Sequence, residues 1–212
     1  MSPFHRATFF ITAAKMSNLT FPSVAEVAFA GRSNAGKSSA INTLANHKRL
    51  AFTSKTPGRT QQLNYFGLGD DRYLVDLPGY GYAKVSQSER ARWAQFLGRY
   101  LQVREPLVGL VLIMDARHPL TELDWQMLEW FGNTGKPVHA LLTKSDKLSK
   151  LECASSLRKV RTEMGAVSPL YSASLFSSLK KTGIKEAEAA ILPWLRLGAG
   201  EGVAENEISP TT

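Results

Sequence analysis

The chain has 212 residues, of which 43% are hydrophobic and 21% are charged, and its formal net charge at pH 7 is +8. This length permits one large domain or two small ones with a substantial buried core. The single cysteine excludes an internal disulfide, which fits a reducing compartment. No apolar run approaches the roughly 20 residues needed to cross a bilayer, so we expect no membrane segment.

The positive charge is concentrated in the first half of the chain. Residues 1–105 contain 14 Lys and Arg against six Asp and Glu, whereas residues 106–212 contain 12 of each class. A positive surface attracts polyanions such as RNA through phosphate contacts and counterion release. Scattered, solvated basic side chains would give the same count, and composition does not choose between these interpretations.

The first apolar stretch is RATFFITAA, residues Arg6–Ala14. It resembles a secretory signal only faintly, because it is short, contains two threonines and is followed by Lys15. We disfavour that interpretation and expect residues 1–25 to form an N-terminal extension that packs on the following domain.

Short apolar segments then alternate with amphipathic ones, a pattern typical of an α/β sheet covered by helices. Strands are predicted at Glu26–Ala30, Gln62–Leu68, Arg72–Asp76, Leu107–Asp115, Val138–Thr143 and around Pro169–Phe176. Only three residues separate the second strand from the third, which predicts an antiparallel hairpin. We therefore expect a mostly parallel six-stranded sheet with one antiparallel edge strand and helices on both faces.

Three segments carry helix-start signals. Ser86–Glu89 and Ser149–Glu152 are capping boxes, in which a serine and a glutamate satisfy free backbone amides reciprocally, and Thr121–Asp124 is a weaker version. A last helix is predicted from about Ile184 to Leu197. We find no repeat or linker, so residues 26–197 are predicted to be one domain and the acidic residues 198–212 a disordered tail.

The segment GRSNAGKS, Gly31–Ser38, has the form GxxxxGK[ST] and lies between the first of these strands and an apolar helical stretch. Its glycines let backbone amides turn towards phosphates, and the helix N-terminus adds partial positive charge. Lys37 can neutralise the outer phosphates, and the Ser38 hydroxyl can ligate Mg²⁺. The segment therefore predicts a phosphate-binding loop.

The segment DLPG, Asp76–Gly79, follows the third strand. A carboxylate there can hold a magnesium-bound water opposite Ser38, and Gly79 can offer its amide to a terminal phosphate. A DxxG pattern alone also fits a simple turn, but its place after a phosphate loop favours the nucleotide interpretation.

The segment TKSD, Thr143–Asp146, closes the fifth strand. A carboxylate that accepts both N–H groups of guanine's Watson–Crick edge discriminates against adenine, which lacks that donor pair. The aliphatic stem of Lys144 can lie over the purine ring. Together with the two earlier motifs, the segment predicts a guanine nucleotide, although an Asp146 helix cap would give the same letters.

These motifs resemble the translation-factor-like class of P-loop GTPases. Longer strings narrow the resemblance: VAFAGRSNAGKSS (27–39), TSKTPGRTQ (53–61), VDLPGYGYA (75–83) and FSSLKK (176–181). They are similar to the bacterial EngB (YihA/YsxC) family, within the TrmE-Era-EngA-EngB-Septin-like GTPases. The resemblance covers about residues 21–197 and does not extend to the tail.

The resemblance implies a cytoplasmic GTPase that uses Mg²⁺ and GTP/GDP, acts in assembly of the large ribosomal subunit, and is needed for normal cell division and septation. It also implies two switches, Ser54–Gln62 and Asp76–Lys84, with Thr60 as a further magnesium ligand beside Ser38 and Asp76. Pro57-Gly58 and the polar residues after it independently indicate an exposed loop. We expect a monomer that contacts ribosomal RNA through its basic half.

The nucleotide-binding residues expected on these grounds fall into four groups along the chain. They are Gly31, Arg32, Ser33, Asn34, Ala35, Gly36, Lys37, Ser38 and Ser39; Gly58, Arg59, Thr60, Gln61 and Gln62; Asp76, Leu77, Pro78 and Gly79; and Thr143, Lys144, Ser145 and Asp146 with Phe176, Ser177 and Ser178. Lys37, Thr60, Gly79 and Asn34 are the expected catalytic contributors.

Two serine-rich segments compete for the last guanine contact, Ser172–Ser174 and Phe176–Ser178. The first looks more like the SA[KL] form of other GTPases. We favour the second, because Leu179–Thr182 then leads directly to the final helix. In this interpretation the Ser178 amide meets the guanine carbonyl, and Ser172 belongs to the strand.

Tyr80 stands where many GTPases have a glutamine that orients the attacking water. Tyrosine cannot reproduce that amide geometry, so a slow intrinsic rate is expected. Related GTPases with GRxNxGKS loops imply that Asn34 helps to bind K⁺ beside the phosphates, and Arg59 is an alternative source of positive charge. An RNA-binding assembly factor in which hydrolysis is incidental remains an alternative, whereas TKSD disfavours an ATP-dependent kinase.

Overall fold

The computed structural model of the protein describes residues 1–52, 62–80 and 87–197, without side-chain detail for residues 87–94. Its described strands form one seven-stranded sheet in the order β1-β3-β4-β2-β5-β6-β7. The strands are β1 Thr8–Ala13, β2 Ala25–Gly31, β3 Leu63–Gly69, β4 Arg72–Asp76, β5 Leu107–Asp115, β6 Val138–Thr143 and β7 Tyr171–Leu175.

The mostly parallel α/β sheet and the β3–β4 hairpin are confirmed. β2 pairs in parallel with β4 and β5, and β6 pairs in parallel with β5 and β7. β3 runs antiparallel to both of its neighbours, β1 and β4. The sheet thus has seven strands where six were expected, and the antiparallel strand is not at the edge because β1 covers it.

The N-terminal segment is therefore part of the sheet. Strand β1 lies in the stretch that faintly resembled a secretory signal, and Thr8 pairs with Gly67 while Ala13 pairs with Leu63. Most of its side chains are exposed or half-buried, since β3 is its only neighbour among the described strands. Such a short, one-sided edge strand lacks the buried apolar run that marks the central strands.

The described residues form five α-helices, which cover the sheet. They are α1 Lys37–Leu44, α2 Gln87–Val103, α3 Glu122–Gly132, α4 Lys150–Val167 and α5 Ile184–Ile191. Alternate residues of β2 enter two separate cores: Val27 packs with α1 and α5, whereas Ala28 packs with α2, α3 and α4. The three layers predicted from the alternation of strands and helices follow from this two-sided burial.

The helix boundaries agree with the start signals where these are described. Ser149 Oγ accepts from the Glu152 amide and the Glu152 carboxylate accepts from the Ser149 amide, so this capping box is confirmed. Ser86 lies outside the described residues, and α2 begins at Gln87. Helix α5 ends at Ile191, earlier than the predicted Leu197, because Pro193 has no backbone N–H to continue the helical hydrogen bonds. The Trp194 and Leu195 amides instead form tighter turns with the Ile191 and Leu192 carbonyls, both at 3.1 Å.

A buried charge cluster lies at the amino end of β2. The Glu26 side chain is completely buried and accepts hydrogen bonds from the hydroxyls of Tyr65 and Tyr100, at 3.1 and 3.0 Å. The Arg104 guanidinium donates to the same carboxylate through Nε at 2.9 Å and to the Leu19 carbonyl at 3.0 Å. This cluster, Glu26–Tyr65–Tyr100–Arg104, satisfies the buried charge with its own partners.

The helices of the described segments do not reach the combination of length and hydropathy that a bilayer span requires.

Candidate nucleotide-binding site

The loop between β2 and α1 has the backbone of a phosphate cradle. Asn34 and Gly36 both adopt left-handed conformations, with φ of 63° and 101°, and α1 begins directly afterwards at Lys37. Left-handed residues of this kind let a loop turn backbone amides towards an anion, and the N-terminus of the helix that follows attracts negative charge. A Cβ at Gly31 would lie 2.9 Å from Ile113 Cβ, so glycine is required where β2 enters the loop.

Lys37 and Asp76 meet at the mouth of the cradle. The Lys37 ammonium pairs directly with the Asp76 carboxylate, and both side chains are nearly buried. Asp76 ends β4 and pairs with Phe29 of β2. Ser38 lies in the first turn of α1, and its hydroxyl is 3.4 Å from the Phe52 carbonyl. One carboxylate and one hydroxyl beside a phosphate cradle are the donors that suit Mg²⁺, which keeps most of its other ligands as water and phosphate oxygen.

A metal site made of protein side chains alone needs several ligand residues close together. Among the described residues there is no group of three or more His, Cys, Asp and Glu side chains placed to hold an ion. A magnesium ion at a site with so few protein ligands would take its other ligands from phosphate oxygens and water.

The other predicted phosphate-side residues divide into three groups. Ala35 and Leu77 are buried; Arg32, Ser33, Pro78 and Gly79 are half-buried; and Asn34, Ser39 and Gln62 are exposed. Gly58, Arg59, Thr60 and Gln61 lie outside the described residues, as do the last residues of the predicted second switch.

The guanine end of the site joins two loops at the carboxyl ends of β6 and β7. Asp146 is almost buried, and its Oδ1 accepts a 2.5 Å hydrogen bond from the Ser177 hydroxyl. The Ser145 amide and hydroxyl both donate to the Phe176 carbonyl, at 3.2 and 3.0 Å. These bonds orient the Asp146 carboxylate, which is the group expected to read the base.

The same end is also bonded to the phosphate loop. The Thr143 hydroxyl donates to the Ala35 carbonyl at 2.5 Å, and Lys144 Nζ donates to the Asn34 carbonyl at 2.6 Å. Two motifs that are more than 100 residues apart in the sequence therefore form one continuous surface, because β2 and β6 flank β5 in the sheet.

The competing serine segments occupy different places. Ser172 and Ser174 lie within β7, where their hydroxyls lie 2.8 and 2.9 Å from the two ring nitrogens of His139. Phe176, Ser177 and Ser178 follow the end of β7, beside TKSD. Ser172 therefore belongs to the strand, as expected, whereas the guanine contact of Ser178 stays a prediction. The Ser177 hydroxyl has a role that was not predicted, since it holds Asp146.

Sequence reasoning missed Asp115 and Arg117. The Asp115 carboxylate accepts from Arg117 Nε at 2.9 Å and lies 3.0 Å from Lys144 Nζ, so it helps to hold the lysine of TKSD. Burial opposes ionisation, but the hydrogen bonds from Arg117 and Lys144 outweigh it and keep the pKa of Asp115 below its usual range. The available signal was an acid at the carboxyl end of an otherwise apolar central strand.

The parallel sheet, the phosphate cradle and the oriented aspartate at the neighbouring strand ends define the class of P-loop GTPases. Residues 26–144 match the family described as 50S ribosome-binding GTPase. A probable GTP-binding protein EngB of Thiobacillus denitrificans is 63% identical over 191 residues, covering 90% of this chain and 92% of that protein. The corresponding protein of Methylobacillus flagellatus is 59% identical over 195 residues, covering 92% and 94%.

The chain belongs to the EngB family of GTP-binding proteins. Solved structures agree at the level of the fold. A crystal structure of a probable GTP-binding protein EngB is 17% identical with a TM-score of 0.65, covering 81% of this chain and 99% of that one. Era in complex with MgGDPNP and a segment of 16S ribosomal RNA is 22% identical with a TM-score of 0.62, covering 89% and 61%.

Proposed function

We propose that the protein is a Mg²⁺-dependent GTP switch that binds the large ribosomal subunit or its precursor in the GTP state and leaves it after slow hydrolysis. It works in the cytoplasm as a monomer, and normal cell division and septation depend on it through ribosome supply. The observation that carries the nucleotide part is the Asp146 carboxylate, held by Ser177 at a site continuous with the phosphate cradle.

Each end of the site has a chemical task. Asp146 accepts the guanine N–H groups, the stem of Lys144 covers the ring, and the Ser178 amide meets the guanine carbonyl. When the nucleotide binds, the Lys37 ammonium leaves its ion pair with Asp76 and contacts the outer phosphates. The Gly79 amide donates to the terminal phosphate. Ser38, Thr60 and Asp76 would hold Mg²⁺, which supplies neutralisation of the phosphate charge.

The ribosomal part rests on the family match and on charge. Four basic side chains in the positively charged half of the chain lie within ion-pair distance of an acidic side chain: Arg32, Lys37, Arg72 and Arg104. Arg6, Lys15, Lys48, Arg49 and Arg99 are exposed among the described residues. We infer that RNA phosphates meet this exposed subset, through contacts that weaken as salt is raised.

Tyr80 favours a second candidate, an assembly factor for which binding of GTP matters and hydrolysis does not. The side chain at this position is buried and bonded to Asp124, so it is turned away from any role in orienting water. Loading onto the ribosome would then need GTP, while release would follow from a later assembly step.

Co-sedimentation with isolated large subunits separates the two candidates. The protein is mixed with the subunits in the presence of GTP, GDP or the non-hydrolysable analogue GppNHp. If it is a switch, it should bind the subunits with GTP and with GppNHp but not with GDP. The complex should then persist only with GppNHp. Equal release from GTP and GppNHp complexes favours the second candidate. No difference between GDP and the triphosphates contradicts both.

We further propose that K⁺ stimulates hydrolysis through Asn34, whose side chain is exposed at the cradle. Wild type and Asn34→Ala are compared in KCl and in NaCl. The wild type should turn over faster in KCl, and the variant should lose that difference. Equal rates in all four measurements would eliminate the K⁺ role.

A further inference from the structure

The segment that carries Gly79 is attached to strand β2 on one side and to the phosphate loop on the other. Before it, the Leu77 amide donates to the Phe29 carbonyl at 3.0 Å. After it, the Tyr80 amide donates to the Gly31 carbonyl at 3.3 Å, and the Tyr80 carbonyl accepts from the Ser33 amide at 2.9 Å. Pro78 and Gly79 therefore form a two-residue connection that is held by backbone hydrogen bonds at both ends. It lies beside the space where a terminal phosphate would be.

The Tyr80 side chain adds a third attachment on the opposite side of the backbone. Its ring belongs to the core that contains α2, α3 and α4, and its hydroxyl donates to Asp124 Oδ1 of α3 at 3.1 Å. Burial, and then the Asp124 charge, raise the pKa of Tyr80 well above its usual value, so the hydroxyl remains a donor.

Asp124 is itself held in place. It is completely buried, and its Oδ2 accepts from the Thr121 amide at 2.9 Å and from the Thr121 hydroxyl at 2.7 Å. Arg32 Nε, which has no hydrogen-bond partner among the described residues, lies 3.8 Å from the same oxygen. The Asp124 carboxylate thus connects α3 to Arg32 of the phosphate loop and to Tyr80, the residue after Gly79.

We propose that Tyr80 is a positioning residue: through its hydrogen bond to Asp124 it holds the Gly79 amide in place for the terminal phosphate of GTP. The inference rests on the proposed role of Gly79 and deepens it, since it gives a function to the residue that stands in place of the water-orienting glutamine. A donor that is already in position loses less conformational entropy on binding.

The proposal predicts a selective effect on the triphosphate. GDP lacks the terminal phosphate, so it gains nothing from a well-placed Gly79 amide, whereas GTP does. Tyr80→Phe keeps the buried ring and removes only the hydroxyl. It should weaken GppNHp about fivefold and GDP by less than about twofold, the size expected when one hydrogen bond to a charged group is lost in part.

The chain offers a matched control at the other end of the sheet. Tyr65 is also a buried tyrosine whose hydroxyl donates to a buried carboxylate, that of Glu26, at 3.1 Å. Tyr65→Phe removes a comparable hydrogen bond far from the phosphate loop. Both variants should lose similar thermal stability, but only Tyr80→Phe should change the ratio of GppNHp to GDP affinity.

A double-mutant cycle tests whether Asp124 is the partner. In an Asp124→Asn background the hydroxyl faces a neutral acceptor, so Tyr80→Phe should change the affinity ratio by only about twofold. Titrations of fluorescent GppNHp and GDP analogues give all the required constants. If Asp124→Asn does not fold, the comparison of Tyr80→Phe with Tyr65→Phe still decides.

The possible results are distinct. An unchanged ratio in folded Tyr80→Phe, or the same ratio change in Tyr65→Phe, overturns the positioning role. A fivefold change that persists in the Asp124→Asn background overturns the assignment of Asp124. Failure of the wild type to bind guanine nucleotides would instead contradict the proposed function itself.

Discussion

The two ends of the central strands use buried carboxylates for different purposes. At the amino end of β2, Glu26 is surrounded by its own partners, two tyrosine hydroxyls and the Arg104 guanidinium. At the carboxyl ends of β4 and β6, Asp76 and Asp146 have a single close side-chain donor each among the described residues. A buried acid with a complete set of partners is compensated within the fold and becomes costly when a partner is removed, whereas an acid with remaining acceptor capacity at the carboxyl edge can receive a ligand.

The largest effect should come from Asp146 at the carboxyl end. Asp146→Asn replaces one acceptor for the guanine N–H pair by a donor, so GTP and GDP should both bind more weakly by about 100-fold or more. Xanthine offers a carbonyl where guanine has its amino group, so XTP should bind better than in the wild type. Competition titrations with GTP, XTP and ATP check this; unchanged GTP affinity would remove Asp146 from the base site.

The amino end should respond in stability and not in binding. Arg104→Met leaves the Glu26 charge buried without its cation, and we expect the free energy of unfolding to fall by about 3 kcal/mol in urea denaturation. The double variant Glu26→Gln/Arg104→Met should recover part of the loss, because no charge then remains. Nucleotide affinity of the folded variant should stay unchanged, and a large loss would show that the two ends are coupled.

His139 near the amino end of β6 should make stability depend on pH. Burial, with the Arg161 charge, lowers the pKa of His139 to about 4 in the folded state, from 6.5. The unfolded chain therefore takes up this proton at higher pH than the folded one, and the stability contribution is lost as pH falls from about 6.5 to 4. The largest resulting decrease in the free energy of unfolding is about 3 kcal/mol.

The measurement is urea denaturation across that pH range. His139→Gln should flatten the profile relative to the wild type, whereas His118→Gln, at an exposed histidine, should leave it unchanged. Parallel profiles for the wild type and His139→Gln would contradict the assignment.

Asp115 should give the smallest of these effects. Asp115→Asn weakens the hold on Lys144, and we expect both GTP and GDP affinities to fall about tenfold without a change in base preference. Arg117→Ala is the control, since the guanidinium is 43% exposed and its pair is screened by water, so a smaller loss is expected. Similar losses in both variants would mean that Arg117 and not the Lys144 contact matters.

The order of strands and helices was readable because each central strand is apolar on both faces. β4, β5 and β6 have their predicted bounds, since strands that are buried on both faces of the sheet appear as continuous apolar runs. Within the described sheet β1 has one neighbour and a mostly exposed surface, so its residues carry no such pattern. Its place at the edge depends on pairing with β3, which lies about 55 residues further along the chain.

The chain's own letters determined the nucleotide class. GRSNAGKS, DLPG and TKSD each place a particular functional group at a strand end, and that chemistry is local to a few residues. Only the tertiary structure decided that Ser177 holds Asp146, that Asp115 holds Lys144 and that Tyr80 is bonded to Asp124. These contacts join segments 29 to 44 residues apart, and no local spacing encodes them, because strand order and helix packing bring the partners together.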